Sequence, residues 1–567
     1  MLETGNGNKT TNIMKSKSNK IYIFIASLAF VLFTGFRTDY FEISKQLDIF
    51  ATLFKELNIY YVDDTDPDEL MHEAIKSMLA TLDPYTTFMT EDESENFKIH
   101  TLGEYAGIGA SIRIISNQVV VAQVYEGFAA EKAGIRAGDI FISIDGKEIT
   151  HENSENISST LKGSVNSDVE ITYKRLGENN PITVKFPREK IIVKAVPFSA
   201  MINKKVGYIS LNSFSRKASR EVATAFSNLK SEGMEYLIFD LRGNPGGLLS
   251  QAVEISGLFV PRKTFVVETK GKIQEWNKKY ITKHRPKDTK IPIVILTDFG
   301  TASASEIVAG SLQDLDRAVV MGSRTYGKGL VQQPRTLNYG TKLKITIAKY
   351  YIPSGRCIQS KDYFHKDKNG NPIVVPDSLR TKFTTRGGRT VFDGAGIEPD
   401  VKIENKNLSS LVVALINQNM LFKYSVEYCN KNSDKINLNN FEITDADLKE
   451  FESYLKRKNF IYETQLLDKL DEFKKIAEKE NLISELDKSI NQLEKELKTN
   501  NHLKFDNDRD EIKKFLELSI INNTYYERGR YLYSMKNDEL IIEATKLLKN
   551  ESEYKKLLTA KQKIAID

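Results

Sequence analysis

The chain has two cysteines and six histidines in 567 residues. Cys357 and Cys429 do not form a metal-ligand spacing, and they leave open one disulfide or two free thiols. No histidine falls in a recognisable catalytic or ligand motif; His72, in an amphipathic stretch, reads as a helix-face residue. Internal repeats are absent, as are a sustained heptad and a basic patch with interleaved aromatics that stands out. These absences argue against a metal or organic cofactor, a histidine-based mechanism, a coiled coil and nucleic-acid binding. Net charge is small, +5 from 81 basic and 76 acidic residues. Hydrophobic residues at 40% and charged ones at 28% are enough for folded cores, and the length calls for several domains.

One long apolar run is present. After a polar start, residues 1–20, containing Lys9, Lys15, Lys17 and Lys20, residues 21–36 are apolar and uncharged. That length lies between a signal-peptide core and a comfortable membrane span. No clean small-x-small cleavage site follows, and no cysteine is placed to carry a lipid. The expectation is an uncleaved signal anchor with its lysines cytoplasmic and the rest exported, a cleaved signal peptide being the close alternative. Residues 40–98 read as helical, 191–404 alternate strand and helix signals, and 405–567 turn rich in Lys, Glu, Asn and Leu with amphipathic runs. The last region reads as a helical domain for packing or oligomerisation, with linkers near 430–445 and 496–510.

Two short stretches carry chemistry. Thr301-Ala-Ser-Ala-Ser-Glu306 places small residues around a serine after the strand-like Ile293–Leu296. Thr325-Tyr-Gly-Lys-Gly-Leu-Val-Gln332 holds a lysine between glycines after Ala318–Met321. A serine hydroxyl needs its proton removed, and a lysine does this once burial lowers its pKa towards neutrality. Its pocket should then be dry and free of an adjacent carboxylate. The rival reading of Gly322–Lys328 as a phosphate loop fails, because Gly329 stands where Ser or Thr must bind magnesium and a strand pattern follows instead of a helix. Asp240-Leu-Arg-Gly-Asn-Pro-Gly-Gly247 ends the strand-like Tyr236–Phe239. Backbone N–H groups there, at Gly246 in preference to Gly247, and at Ala304 are candidates for an oxyanion hole.

Together with Leu82–Phe88, Gly107-Ile-Gly109, Tyr350–Arg356 and Gly396–Asp400, these motifs closely resemble the C-terminal processing (tail-specific) serine peptidases, in order, from about residue 45 to 400. The resemblance implies Ser303 as nucleophile, Lys328 as general base and Gln332 as the residue orienting the lysine. Ser305 stays a competitor that only the spacing to Lys328 disfavours. It further implies that the N-terminal helices form a cap or dimerisation arm.

Residues 101–190 resemble a circularly permuted PDZ domain inserted in such peptidases. An extended peptide would pair with an exposed strand, its carboxylate held by the Tyr105–Ala110 loop. Tyr105, Gly107, Ile108, Gly109 and Ile112 are the expected peptide-binding residues, Ile108 and Ile112 selecting an apolar end. Leu161–Ser167 lacks the second glycine expected in the module's last helix–strand turn. The expected fold class is α+β and multidomain. It has a mixed α/β, ClpP/crotonase-like peptidase core (191–404), an inserted PDZ-like domain, an N-terminal helical arm and a C-terminal helical domain (405–567). The expected activity is serine endopeptidase cleavage of unfolded or tailed proteins in the bacterial cell envelope. The catalytic part would be periplasmic, tethered to the inner membrane or free if the signal is cleaved. An adaptor protein and a homo-oligomer are candidate partners. The competing class is a non-enzymatic peptide-binding scaffold, which has no need of Ser303, Lys328 and Gln332 together.

Overall fold

Four apolar runs, Val206–Ser210, Tyr236–Asp240, Ile293–Thr297 and Val319–Gly322, are buried almost throughout. Such runs, without polar alternation, suit strands covered on both faces. In the computed structural model, which describes residues 40–150, 157–368, 370–403, 408–462, 465–500, 505 and 507–559, they lie parallel and side by side. Phe198–Met201, antiparallel, and Val401–Lys402, parallel, complete a six-stranded sheet.

One face of this sheet carries the helices Ala218–Ser231, Leu249–Ser256 and Ala304–Asp314, through residues such as Val222, Phe226, Ile255 and Ile307. The other face is covered from far along the chain. Ile541, Ala544, Leu548 and Tyr554, on the helices Glu539–Lys549 and Glu551–Thr559, pack on Ile238, Val294, Leu296 and Val319. The Tyr554 hydroxyl also accepts from Ile293 N–H (2.9 Å) and donates to its carbonyl (3.0 Å). The last two described helices, from the stretch expected as a C-terminal helical domain, thus pack directly on this sheet. A second sheet lies beside it, ordered Thr87–Met89, Lys342–Tyr351, Phe265–Lys270, Lys278–Ile281, with Leu330–Thr336 also paired to Lys342–Tyr351.

The PDZ-like module is a separate antiparallel sheet running from Ala110 to Pro187 with its own core, including Val119, Phe141, Val169 and Ile171. Its entry and exit strands, Glu104–Gly107 and Glu189–Ile192, pair with each other as a two-stranded stalk. Thr101 and Leu102 end the preceding helix, Glu91–Leu102, so the module starts slightly later than expected. Within Leu161–Ser167, the turn expected to hold a second glycine, Asn166 takes the left-handed conformation at φ 67°, and its N–H donates to Arg188 O (2.9 Å). Asparagine tolerates that region better than most residues, so the turn is kept.

Helices Ser410–Asn417, Met420–Asn432, Asp445–Arg457 and the kinked Arg509–Asn537 form a further apolar core. Ile436, Phe441 and Ile443 are buried in it, so the segment expected as a linker near 430–445 is packed chain. Of the second expected linker, residues 501–504 and 506 lie outside the described residues. Cys357 and Cys429 are both free thiols.

The chain divides into two units, one ending at Pro84 and one beginning at Tyr85. Within the first, helix 40–60 and helix Pro67–Ala80 are described. Asp66 caps the second by accepting from Asp68 and Glu69 N–H, and Pro67 sits where its missing donor costs nothing. Among the described residues no helix is long and apolar enough to cross a membrane; the expected anchor at 21–36 lies outside them.

Candidate active site

Three loops leave the carboxyl ends of adjacent parallel strands, where sites in α/β sheets gather. They are 241–248, 298–303 and 323–329, and hydrogen bonds lace them together. Thr301 Oγ1 donates to Leu241 O (2.9 Å), Gly243 N–H to Asp298 Oδ1 (2.9 Å) and Ala302 N–H to Asn244 O (3.0 Å). Asn244, fully buried, donates through Nδ2 to Leu211 O at 2.6 Å.

Ser303 stands between the strand Ile293–Thr297 and the helix Ala304–Asp314, at φ 57° and ψ −115°. That backbone is strained for a residue with a Cβ, and it turns the chain sharply into the helix. Ser303 is half-buried, whereas Ser305 is fully buried and donates to Asn244 O (2.9 Å). Of the two serines, Ser305 is thus occupied in holding the loops, and Ser303 keeps access to the cleft.

Glu306 ties the two motifs together. Its buried carboxylate accepts from Ser303 N–H (2.7 Å) and Lys328 N–H (2.9 Å) on Oε2. On Oε1 it accepts from Gly327 N–H (2.7 Å) and Thr325 Oγ1 (2.6 Å). All four partners are donors, the arrangement an ionised carboxylate satisfies. Burial nevertheless raises its pKa above the ordinary 4.5, against the pull of Thr325 and the three N–H groups. Tyr350, also buried, works from the carbonyl side: its hydroxyl lies 2.6 Å from Lys328 O and 3.1 Å from Ser303 O. The backbones of Ser303 and Lys328 are therefore clamped twice. Glu306 meets Lys328 at its main-chain N–H.

Lys328 is half-buried, with Nζ 4.3 Å from the centre of the Tyr85 ring. The Tyr85 hydroxyl sits 3.2 Å from Tyr363 Oη and 3.3 Å from Tyr326 Oη, and burial raises its pKa. Gln332 Nε2 donates to Thr346 Oγ1 (3.2 Å) on the neighbouring strand, so its side chain is anchored across the sheet.

The turn expected to supply an oxyanion donor is differently used. Gly246 N–H donates to Asn244 Oδ1 (2.9 Å), so that amide is already engaged. What Gly246 contributes is closeness: a Cβ there would lie 2.8 Å from both Ala304 N and Ser303 Cβ. Gly247 N–H is exposed and has no hydrogen-bond partner among the described residues. Ala304 begins its helix, where N–H groups lack intrahelical acceptors. The preference for Gly246 over Gly247 as donor is corrected on this ground.

In the PDZ-like module the strand Ala110–Ile115 is the edge of its sheet, as strand addition requires. The N–H groups of Ile108 and Gly109, before it, have no backbone partner among the described residues. Ile108 itself is 2% exposed and belongs to the module's core; Ile112 is half-buried beside that core. Tyr105 is half-buried and lies against Gly107, whose absent Cβ would meet its ring at 2.7 Å. Glu306, Tyr350, Tyr85 and Asn244 carry much of the geometry and were not singled out from sequence. All four stand inside the motifs that carry the family resemblance, and that was the available signal.

Models of three families match in series: the PDZ domain over residues 106–186, peptidase family S41 over 205–367, and "Probable PDZ-protease, C-terminal helical domain" over 411–548. The carboxy-terminal-processing protease of Bartonella bacilliformis is 34% identical over 319 residues, 56% of this chain and 73% of that protein. The chain belongs to the carboxy-terminal-processing serine proteases of peptidase family S41. A "Probable CtpA-like serine protease" of Staphylococcus aureus (strain COL) is 35% identical over 320 residues, and the match spans 63% of its length. The solved photosystem II D1 C-terminal processing protease is 26% identical, covering 62% of this chain and 86% of that one, with a TM-score of 0.34.

Proposed function

We propose that this peptidase captures unstructured C-terminal tails on its PDZ-like module and cleaves peptide bonds at Ser303 with Lys328 as base. The observation that carries the reading is the shared clamp of Glu306 and Tyr350, which fixes the backbones of both residues in one cleft. Neutral Lys328 Nζ takes the proton of Ser303 Oγ as the oxygen attacks the carbonyl carbon. The carbonyl oxygen becomes an oxyanion facing the N–H groups of Ala304 and Gly247. The C–N bond then breaks, Lys328 gives its proton to the leaving amine, and water hydrolyses the Ser303 ester with the same lysine as base. Gln332, anchored on Thr346, orients the amine. The N–H groups of Ile108 and Gly109, without a backbone partner among the described residues, suit a terminal carboxylate, and the edge strand Ala110–Ile115 suits the extended chain behind it.

The polar lysines and apolar run of residues 1–36 support placement in the bacterial cell envelope, with exported proteins as substrates. An adaptor and self-association through the N-terminal helices belong to the same proposal. The test is cleavage of an unfolded protein ending in an apolar tail, compared with the same protein carrying an amidated terminus. Cleavage of the first, slowed by amidation and absent in Ser303→Ala, supports the reading. Tight binding of the tail without any cleavage would favour the scaffold alternative.

A further inference from the structure

Among the described residues the strand Lys278–Ile281 is the outer edge of its sheet, paired on one side only, to Phe265–Lys270. Between this edge and the helices Ala218–Ser231 and Leu249–Ser256 lies a cavity of about 700 Å³. Its floor is apolar, with Ala223, Val253, Leu258 and Tyr280. Its walls carry Arg220, Lys278, Lys279, Lys283, Arg285 and Lys287, with His284, against Glu254 as the one acidic lining residue. Glu254 is already engaged by Ser219 Oγ at 2.6 Å. Lys279 reaches Glu268 at 3.9 Å, but Arg220, Lys283, Arg285 and Lys287 have no carboxylate partner among the described residues. The loop bearing them is anchored, since Lys287 N–H donates to Leu258 O (2.8 Å) and Thr282 N–H to Thr264 O (2.9 Å). In a chain whose net charge is only +5, this is a local concentration of unmatched positive charge.

We propose that this cavity is an exosite for an acidic, extended polypeptide segment, a proposal that takes its occupant from the peptidase reading above. A free strand edge offers main-chain N–H and C=O groups, which a peptide backbone satisfies by adding a strand. Acidic side chains on that strand meet the lysines and arginines, and apolar ones alternate onto the floor. A nucleic acid fits less well: it cannot complete the strand edge, and the Trp276 ring nearby is already covered by Lys278 and Arg335. The exosite binds acidic stretches of a substrate upstream of its tail and lowers KM for them without changing the chemical step.

The test uses the full chain carrying Ser303→Ala and a fluorescent peptide alternating glutamate and valine, amidated so that the PDZ-like loop has no terminal carboxylate to hold. Saturable binding that weakens with added salt is expected. Combining Lys279→Ala, Lys283→Ala, Arg285→Ala and Lys287→Ala should weaken it about tenfold. These side chains are exposed, so the same four changes on the active background should leave cleavage of a neutral tailed substrate intact and report the fold. Absence of saturable binding, or equal binding by the fourfold variant, overturns the exosite. Stronger competition by a single-stranded oligonucleotide of equal charge also overturns it, in favour of a nucleic-acid surface. Peptide binding without cleavage of any tailed substrate would instead count against the peptidase reading and leave the exosite standing.

Discussion

Ser303 holds a backbone, φ 57° and ψ −115°, that costs on the order of 1–3 kcal/mol, and it persists because its neighbours over-determine it. Glu306 takes its N–H and Tyr350 faces its carbonyl. Glu306→Gln replaces one acceptor oxygen by an NH₂ group that opposes donors, and should lower kcat by about 10²-fold through misplacement of Ser303 and Lys328. Steady-state kinetics should show KM little changed. The same residue has a pH signature. Because burial holds the carboxyl above 4.5, the folded state binds its proton more readily than the unfolded state does. The contribution of Glu306 to stability is therefore greatest below pH 4.5 and declines as pH rises through its folded pKa. Thermal melts across that range should show the decline in the wild type and a flatter profile in Glu306→Gln. Gly246→Ala should abolish cleavage while the fold is kept, since its Cβ would press on Ala304 N and Ser303 Cβ, each at 2.8 Å. Ser305→Ala should keep cleavage and lose about 1 kcal/mol of stability, read from urea unfolding.

At the scale of elements, the helices Glu539–Lys549 and Glu551–Thr559 act as the second layer of the peptidase core. Leu548 is fully buried against that sheet, and Leu548→Ala should cost about 2–5 kcal/mol in urea denaturation. If 405–567 were an independent module, this change would leave the unfolding of the peptidase core untouched. Their helical character was legible from periodic Leu and Ile among charges. Their place was not, because an amphipathic stripe shows that a face is buried without showing against what. The strands of the core were legible for the opposite reason: Ile293–Leu296 and Val319–Met321 are short β-branched-rich apolar runs without polar alternation, as suits a parallel strand covered on both faces. The serine and lysine motifs could be placed at the ends of those strands. Which amide of Gly246 and Gly247 stays free was not legible, since it depends on where the Asn244 side chain folds back.

Across the whole molecule, the C-terminal helices reach both other parts of the unit that begins at Tyr85. At the kink in Arg509–Asn537, Tyr526 donates to Glu131 Oε1 of the PDZ-like module (2.8 Å). Further on, Asp538 pairs at 2.9 Å with Arg242, which also holds Asp240 at the start of the 241–248 loop. Long-range ties of this kind leave no trace in local sequence pattern, whereas the motifs of the cleft do, because each is a short loop with fixed backbone demands. The central claim concerns that cleft, and covalent labelling tests it most directly. The full chain would be treated with a fluorophosphonate that phosphonylates activated serines, and the modified residue located by mass spectrometry in wild type and Lys328→Ala. The account predicts a single label on Ser303, reduced at least about 10³-fold in rate without Lys328. A label on another serine, or undiminished labelling of Ser303 in Lys328→Ala, would contradict it.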